Sequence, residues 1–365
     1  MSSFDIQPRD QDLDLQGQAQ DGLHARARTV TSDEFGRRVF VRGVVEVSNY
    51  CRENCGYCGM RRDNRDLARF RVEPERLAEL LVEARPAAIT DLNIQTGEDP
   101  RAMDEVVLPL ISLLRRHTSL GISVCLGTLD AGRYRALRDS GATIYIMKFE
   151  ISDADRYKEF RAPGTLEERL RHIRMLAGDG WHVSSGFIAG LPGETEAHRL
   201  KNISLAVSLP LSGCSVSPFI PGAETSLSSA PPGDVELTLN CMAWLRILRP
   251  DWVIPAVSAL NLSQPGLGYR RGLRAGANLV TMNLTPEAFR GDYLLYTRDR
   301  YVMTEERVLT AIAKEGLEPS PVSLAEHYAA RPRVLPAAGP GLEADAGPGA
   351  GLTPGALPAP ATGMG

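Results

Sequence analysis

Short runs of β-branched and aromatic residues alternate along this chain with stretches of helical periodicity. That alternation dictates a parallel sheet, because parallel neighbours need a long crossover and a helix is the usual one. Eight runs can be placed, at 38–47, 87–95, 121–127, 143–150, 182–190, 214–219, 252–258 and 278–282. The spacing between them predicts helices over Pro74–Arg85, Met103–His117, Ala131–Arg138, Leu166–Ala177, Glu194–Ser208, Val235–Leu248 and Tyr269–Ala275, with Thr304–Glu315 after the last strand. Seven crossovers joining eight strands predict an α/β fold, a (β/α)8 TIM-type barrel with its site at the C-terminal ends of the strands. An open doubly wound sheet is the competing architecture. It wants a phosphate-binding glycine turn after the first strand, and here a cysteine loop follows instead.

The barrel is expected over 33–320. Residues 1–32 are polar and without period, which predicts a flexible or irregular arm, and 332–365 are rich in Pro, Gly and Ala, too poor in large apolar groups to offset their ordering entropy. A net charge of −4 offers no basic excess for a polyphosphate backbone or an anionic membrane, so neither nucleic acid nor membrane is an expected partner. The N-terminus MSSFDIQPRDQDLD has neither the basic nor the apolar segment of a signal peptide, and a cytoplasmic protein is expected. Lys148, Lys158, Lys201 and Lys314 are the only lysines, which leaves few candidates for a Schiff base.

Three of the six cysteines fall within eight positions just past the first strand, as Cys51-Arg52-Glu53-Asn54-Cys55-Gly56-Tyr57-Cys58. In a cytosolic protein such crowding points to metal or redox chemistry. Three thiolates suit an iron–sulfur cluster and leave one iron open to a substrate or cofactor. A structural zinc site needs four ligands, and no histidine or cysteine nearby supplies the fourth. A zinc-binding interaction module is nevertheless the non-enzymatic alternative. A barrel using metal-assisted acid–base chemistry would want histidines and carboxylates at strand ends, whereas the six histidines are scattered.

The C-x3-C-x2-C spacing, with Tyr57 before the last cysteine, resembles the signature of radical S-adenosylmethionine (SAM) enzymes. The resemblance runs from about Phe35 to Pro319, and is nearest to the branch holding methylornithine synthase, the radical SAM maturase of [FeFe]-hydrogenase and biotin synthase. Phe35-Gly36-Arg37-Arg38-Val39-Phe40 and Ala277-Asn278-Leu279-Val280-Thr281 resemble the synthase of methylornithine. Gln95-Thr96-Gly97-Glu98-Asp99-Pro100, Gly190-Leu191-Pro192-Gly193-Glu194-Thr195 and Pro218-Phe219-Ile220-Pro221 resemble the maturase.

This resemblance implies a [4Fe–4S] cluster on Cys51, Cys55 and Cys58, with SAM on the open iron and a flavodoxin- or ferredoxin-type protein as electron donor. It implies SAM contacts at Tyr57, Gly97, Glu98, Glu150 and Arg169. Charge logic points the same way, since a zwitterion needs an anion for its ammonium and a cation for its carboxylate. Without the resemblance, Arg169 reads as a surface helix arginine paired with Glu168, and Glu98 as a helix-entry carboxylate. Lys148 and Glu150 share one face of a strand, so Lys148 either meets a substrate carboxylate or pairs with Glu150. Ser258 and Asn261 fall where the family places polar substrate contacts. Tyr293 and Tyr296 suit core packing as well as they suit the site.

Biotin synthase holds a second cluster on three cysteines and an arginine. Here the matching positions include Cys125, but also Leu92 and Ser184, so that cluster has no counterpart; Cys125, Cys214 and Cys241 read as buried small hydrophobes. No cysteine follows Tyr296. A single-cluster enzyme acting on a small amino acid is the expectation, with carbon-skeleton rearrangement ahead of a lyase or maturase role.

Overall fold

The computed structural model describes residues 13–298 and 301–331. Seven parallel strands, β1 (Arg38–Ser48), β2 (Asp91–Thr96), β3 (Gly121–Cys125), β4 (Ile144–Ile146), β5 (His182–Ala189), β6 (Gly213–Pro218) and β7 (Leu279–Asn283), lie in the order β6-β5-β4-β3-β2-β1-β7. A short β8 (Glu318–Pro319) pairs with the start of β1.

The expected parallel barrel is therefore formed, but the run at 252–258 is not a strand in its own right. It closes the ring through two isolated bridges, Val253 to Gly213 and Pro255 to Leu279. Pro255 has no N–H to give, which limits the ladder there. Side chains make up the deficit. Asn278 Oδ1 accepts from Ile254 N at 2.8 Å and from Arg246 Nη2 at 2.9 Å. The buried Arg246 also donates to Gly276 O (2.9 Å) and Pro250 O (2.6 Å), tying the segment to the helix Val235–Leu248.

Alternation along β1 sorts its side chains. Val39, Val41, Val45 and Val47 enter the main apolar core, while Arg42, Val44 and Glu46 line the barrel interior. The helices fall where periodicity put them, at Pro74–Ala84, Leu108–His117, Ala131–Asp139, Leu166–Gly178, Glu196–Ser208, Val235–Leu248, Gly268–Arg274 and Glu305–Lys314. Leu166–Gly178 begins on a Thr165 cap, whose hydroxyl accepts from Glu168 N.

The N-terminal arm differs from expectation, since Gly17–Phe35 is a helix of 19 residues. Its buried face is only Gln20, Leu23 and Ala27, too narrow to leave an amphipathic signal. Polar contacts hold it instead. Gln20 Nε2 donates to Asn240 Oδ1 at 3.0 Å, and Arg28 joins Arg270 and Arg274 on the buried Glu315. The expected tail at 332–365 lies outside the described residues. Among those described, no helix is long and apolar enough to cross a membrane.

Replacing Asn278 by Ala strands the Ile254 N–H and one Arg246 donor, which should lower stability by about 2–4 kcal/mol. Urea unfolding of the two proteins measures this. An unchanged midpoint would mean that main-chain bridges alone hold the closing segment.

Candidate active site

The loop after β1 has no regular structure, so its carbonyls need donors from elsewhere. Arg69 supplies them. Its Nη1 donates to Asn49 O (2.5 Å) and Met60 O (2.9 Å), and its Nη2 to Arg61 O (2.8 Å) and Asn64 O (3.1 Å). Asn49 pins the loop's start by donating to Ala68 O and Asp292 O, and Gly56 N donates to Phe160 O. This scaffold presents Cys51, Cys55 and Cys58 as free thiols. Burial raises all three above the usual thiol range, Cys58 to about 12, and for Cys55 and Cys58 repulsion among the thiolates adds to it.

Gly97 lies directly beneath the loop. A Cβ there would overlap Tyr50 O and sit 2.9 Å from Cys51 Cβ, so the close approach demands glycine. The next residue, Glu98, donates its N–H to Cys51 Sγ at 3.4 Å. Glu98 is 9% exposed, and its carboxylate accepts from Arg169 Nη2 at 2.6 Å and Arg52 Nη2 at 3.1 Å. Gly127, at φ 75°, leaves room for that carboxylate.

Arg169 is 4% exposed and paired with Glu98, which removes the reading as a surface arginine paired with Glu168. Burial opposes its charge, but Glu98 and Tyr157 outweigh this and hold its pKa above the ordinary guanidinium range. Tyr57 packs against the apolar cluster of Ile151, Tyr157, Phe160 and Phe219, and its buried hydroxyl has no partner. Glu150 stands at φ 61°, a left-handed conformation that favours glycine and places strain beside the thiols.

Inside the barrel a cavity of about 220 Å³ is lined by Lys148, Glu46, Gln95, Ser217, Ser258 and Tyr296, among others. Lys148 Nζ lies 4.0 Å from Glu150 Oε2 and donates to Ser217 Oγ at 3.4 Å, so it has a loose ion pair and also faces the cavity. Burial opposes its charge, and Glu150 and Tyr296 raise its pKa in spite of that. Asn261 does not line the cavity. It is packed against the helix Gly268–Arg274, its Oδ1 accepting from Tyr269 N at 3.4 Å. Tyr293 is buried with Met60, Leu67 and Leu294. Cys125, expected among the buried hydrophobes, forms part of the cavity wall, whereas Cys214 and Cys241 are buried.

Sequence reasoning passed over a polar chain in the cavity wall. Ser123 Oγ donates to Asn93 Oδ1 (3.1 Å), Asn93 Nδ2 to Gln95 Oε1 (3.2 Å), and Gln95 Nε2 to Glu46 Oε1 (3.3 Å). Thr285 Oγ1 donates to Glu46 Oε2 at 3.2 Å. The signal was present, since Arg42, Glu46, Asn93 and Gln95 are polar residues at even spacing in strands covered on both sides.

Comparison with known proteins decides the family. The radical SAM superfamily pattern matches residues 45–206. The chain is 33% identical over 276 residues to the [FeFe] hydrogenase maturase subunit HydE of Thermotoga maritima, covering 76% of this chain and 79% of that protein. This chain is a radical SAM protein. It is also 26% identical over 306 residues to 3-methylornithine synthase of Methanosarcina acetivorans, covering 82% and 85% of the two chains. The crystal structure of methylornithine synthase (PylB) superposes with a TM-score of 0.77 at 22% identity, over 90% of this chain and 98% of that one, and so shares the fold.

Radical SAM proteins use a [4Fe–4S] cluster and SAM. The residues present fit both. Three free thiols on one loop provide soft anionic ligands. Among the described residues no three His, Cys, Asp or Glu side chains converge on a single metal ion, and ligands for separate irons of one cluster need not converge. The buried Tyr57 hydroxyl without a partner, and the Glu98–Arg169 pair beside Cys51, suit a polar cofactor next to the thiols.

A Gly97→Ala substitution should push the cysteine loop off its seat. Iron per chain after anaerobic reconstitution is expected to fall at least several-fold, with helical circular dichroism retained. Full iron loading in Gly97→Ala would show that the loop can shift without cost.

Proposed function

We propose that this radical SAM protein is an enzyme of small-molecule metabolism that rearranges the carbon skeleton of an amino-acid-like substrate. In this reading Cys51, Cys55 and Cys58 ligate the cluster, Gly97 and Glu98 meet the SAM ammonium, and Arg169 turns a donor to its carboxylate. Tyr57 packs against the adenine side, and Glu150 completes the SAM contacts. A flavodoxin- or ferredoxin-type protein delivers the electron. When bound and reduced, the cluster and SAM supply a 5′-deoxyadenosyl radical that removes a hydrogen atom from the substrate.

The remaining work falls to the chain itself. Lys148 holds the substrate carboxylate and Ser258 offers a hydroxyl from the closing segment. Asn261 acts from behind, by fixing the helix that carries Tyr269. In this reading the cavity wall shields the bound substrate from part of the bulk water, which protects a radical from quenching and strengthens each charge inside.

The observation that carries this reading is continuity. Glu150 pairs with Lys148 at 4.0 Å and Lys148 opens onto the cavity, which supports reading the cofactor and substrate positions as one connected site. A maturase role on an amino-acid-derived substrate is the second reading, favoured by the 33% identity to HydE against 26% to 3-methylornithine synthase. Anaerobic turnover with candidate amino acids, following 5′-deoxyadenosine and loss of substrate deuterium, tests the proposal. No substrate-dependent deuterium transfer from any amino acid would end it.

The cysteine assignment is tested by the Cys51→Ala/Cys55→Ala/Cys58→Ala variant. Iron near four per chain should drop to background and the brown absorbance should vanish; retention of both would refute the ligand set. Arg169→Ala should weaken SAM binding by on the order of 1.5–3 kcal/mol, about tenfold or more, because a charge-assisted contact is lost. Equilibrium dialysis with labelled SAM on cluster-loaded protein measures it, and unchanged affinity would remove Arg169 from the SAM site.

A further inference from the structure

A buried polar cluster backs the Glu98–Arg169 pair. The segment 126–130, which joins β3 to the helix Ala131–Asp139, passes over Glu98. A Cβ on Gly127 would overlap the Glu98 side chain, and Thr128 directs both its N–H and its hydroxyl to Glu98 Oε2 at 3.5 Å. The segment has no ladder of its own, so its other buried main-chain groups need partners from elsewhere. Two tyrosines supply them. Tyr145 Oη donates to Gly127 O at 2.7 Å, and Tyr134 Oη accepts from Leu129 N at 3.0 Å.

The Tyr134 hydroxyl also reaches a third element. It lies 2.9 Å from Nδ1 of His172, which stands three residues after Arg169 on the helix Leu166–Gly178 and hence on the same face. All three rings are buried, and that of Tyr134 meets Tyr145 and His172 edge-on, at centroid distances of 5.2 and 5.8 Å. Burial, helped by Arg171, lowers the His172 pKa from its ordinary value, which keeps the ring neutral near pH 7 and leaves one nitrogen as an acceptor. Neither Tyr134 nor His172 lines the cavity. Together they tie the segment that rests on the Glu98 anion to the helix that carries the Arg169 cation. A long arginine can meet a carboxylate from a range of helix positions, whereas a short bond between two rigid rings allows few.

We propose that Tyr134 and His172 form a positioning clamp. It seats the Arg169 helix against the segment 126–130, and so holds Glu98 and Arg169 where the ammonium and carboxylate of SAM's amino-acid end meet them. This rests on the reading of Glu98 and Arg169 as SAM contacts. Both clamp residues act through that pair and touch neither cofactor nor substrate.

The test compares two ligands on cluster-loaded protein by equilibrium dialysis: SAM, and 5′-methylthioadenosine, which keeps the nucleoside and sulfur but has neither ammonium nor carboxylate. Tyr134→Phe retains the ring and removes the hydroxyl. It should weaken SAM binding about fivefold or more, while the affinity for methylthioadenosine and the iron per chain stay unchanged. His172→Leu should lose as much, and the double variant no more than either single, because one interaction is removed only once. His172→Asn, whose amide can replace Nδ1 as donor or acceptor, should restore most of the affinity. Unchanged SAM binding in Tyr134→Phe overturns the proposal. So does equal weakening of both ligands, the mark of a general loss of packing, or equal loss in His172→Asn and His172→Leu. Arg169→Ala measured alongside separates the readings. Weaker SAM binding there with none in Tyr134→Phe removes the clamp alone, and no loss in either removes the SAM assignment with it.

Discussion

The buried ion pair between Glu98 and Arg169 is the junction on which the upper face of the barrel depends. Taking two charges out of water is costly, and a pair of this kind persists only where geometry and further hydrogen bonds satisfy both members. Here Glu98 follows β2, Arg169 comes from the helix after β4, Arg52 from the cysteine loop and Thr128 from the turn after β3. One carboxylate thus fixes the relative position of four chain segments that share no ladder. A zwitterionic cofactor entering beside it would find an anion and a cation already held in place, with little left to order on binding.

Much of this was legible in the sequence because it depends on local rules. Strand and helix positions followed from two periodicities, and the cysteine spacing singled out its loop. Gly97 was picked out by resemblance, while its physical cause, a loop passing directly over it, is a property of packing alone. The long-range partners were not legible. Nothing in residues 17–35 announces a helix, because its anchors are single polar contacts to Asn240 and Glu315, more than 200 residues away. Arg69 was invisible for a similar reason, since its role is to satisfy carbonyls of a loop whose course only the fold defines.

Asn261 and Lys148 show the two ways a residue placed by resemblance can resolve. Asn261 is buried outside the cavity lining, with its amide oxygen turned to a helix backbone. Lys148 kept both of its readings, since a 4.0 Å contact to Glu150 is loose enough to coexist with exposure to the cavity. Lys148 follows the alternation of β4, whereas Asn261 sits in the short helix Ala259–Ser263, where helical rather than strand periodicity sets its direction.

The closing segment at 252–256 has a consequence for how the barrel opens. Long parallel ladders on either side release their amides only with the whole domain, but two bridges and an asparagine can let go by themselves. The protein therefore carries a seam, the part of the ring with the fewest ladder bonds. Because Pro255, Val257 and Ser258 on this segment also line the cavity, the least laddered part of the ring is a wall of the chamber itself. The stave with the fewest ladder bonds thus borders the cavity, and its hold on the neighbouring chain runs through Asn278 and Arg246, residues that do not line that cavity.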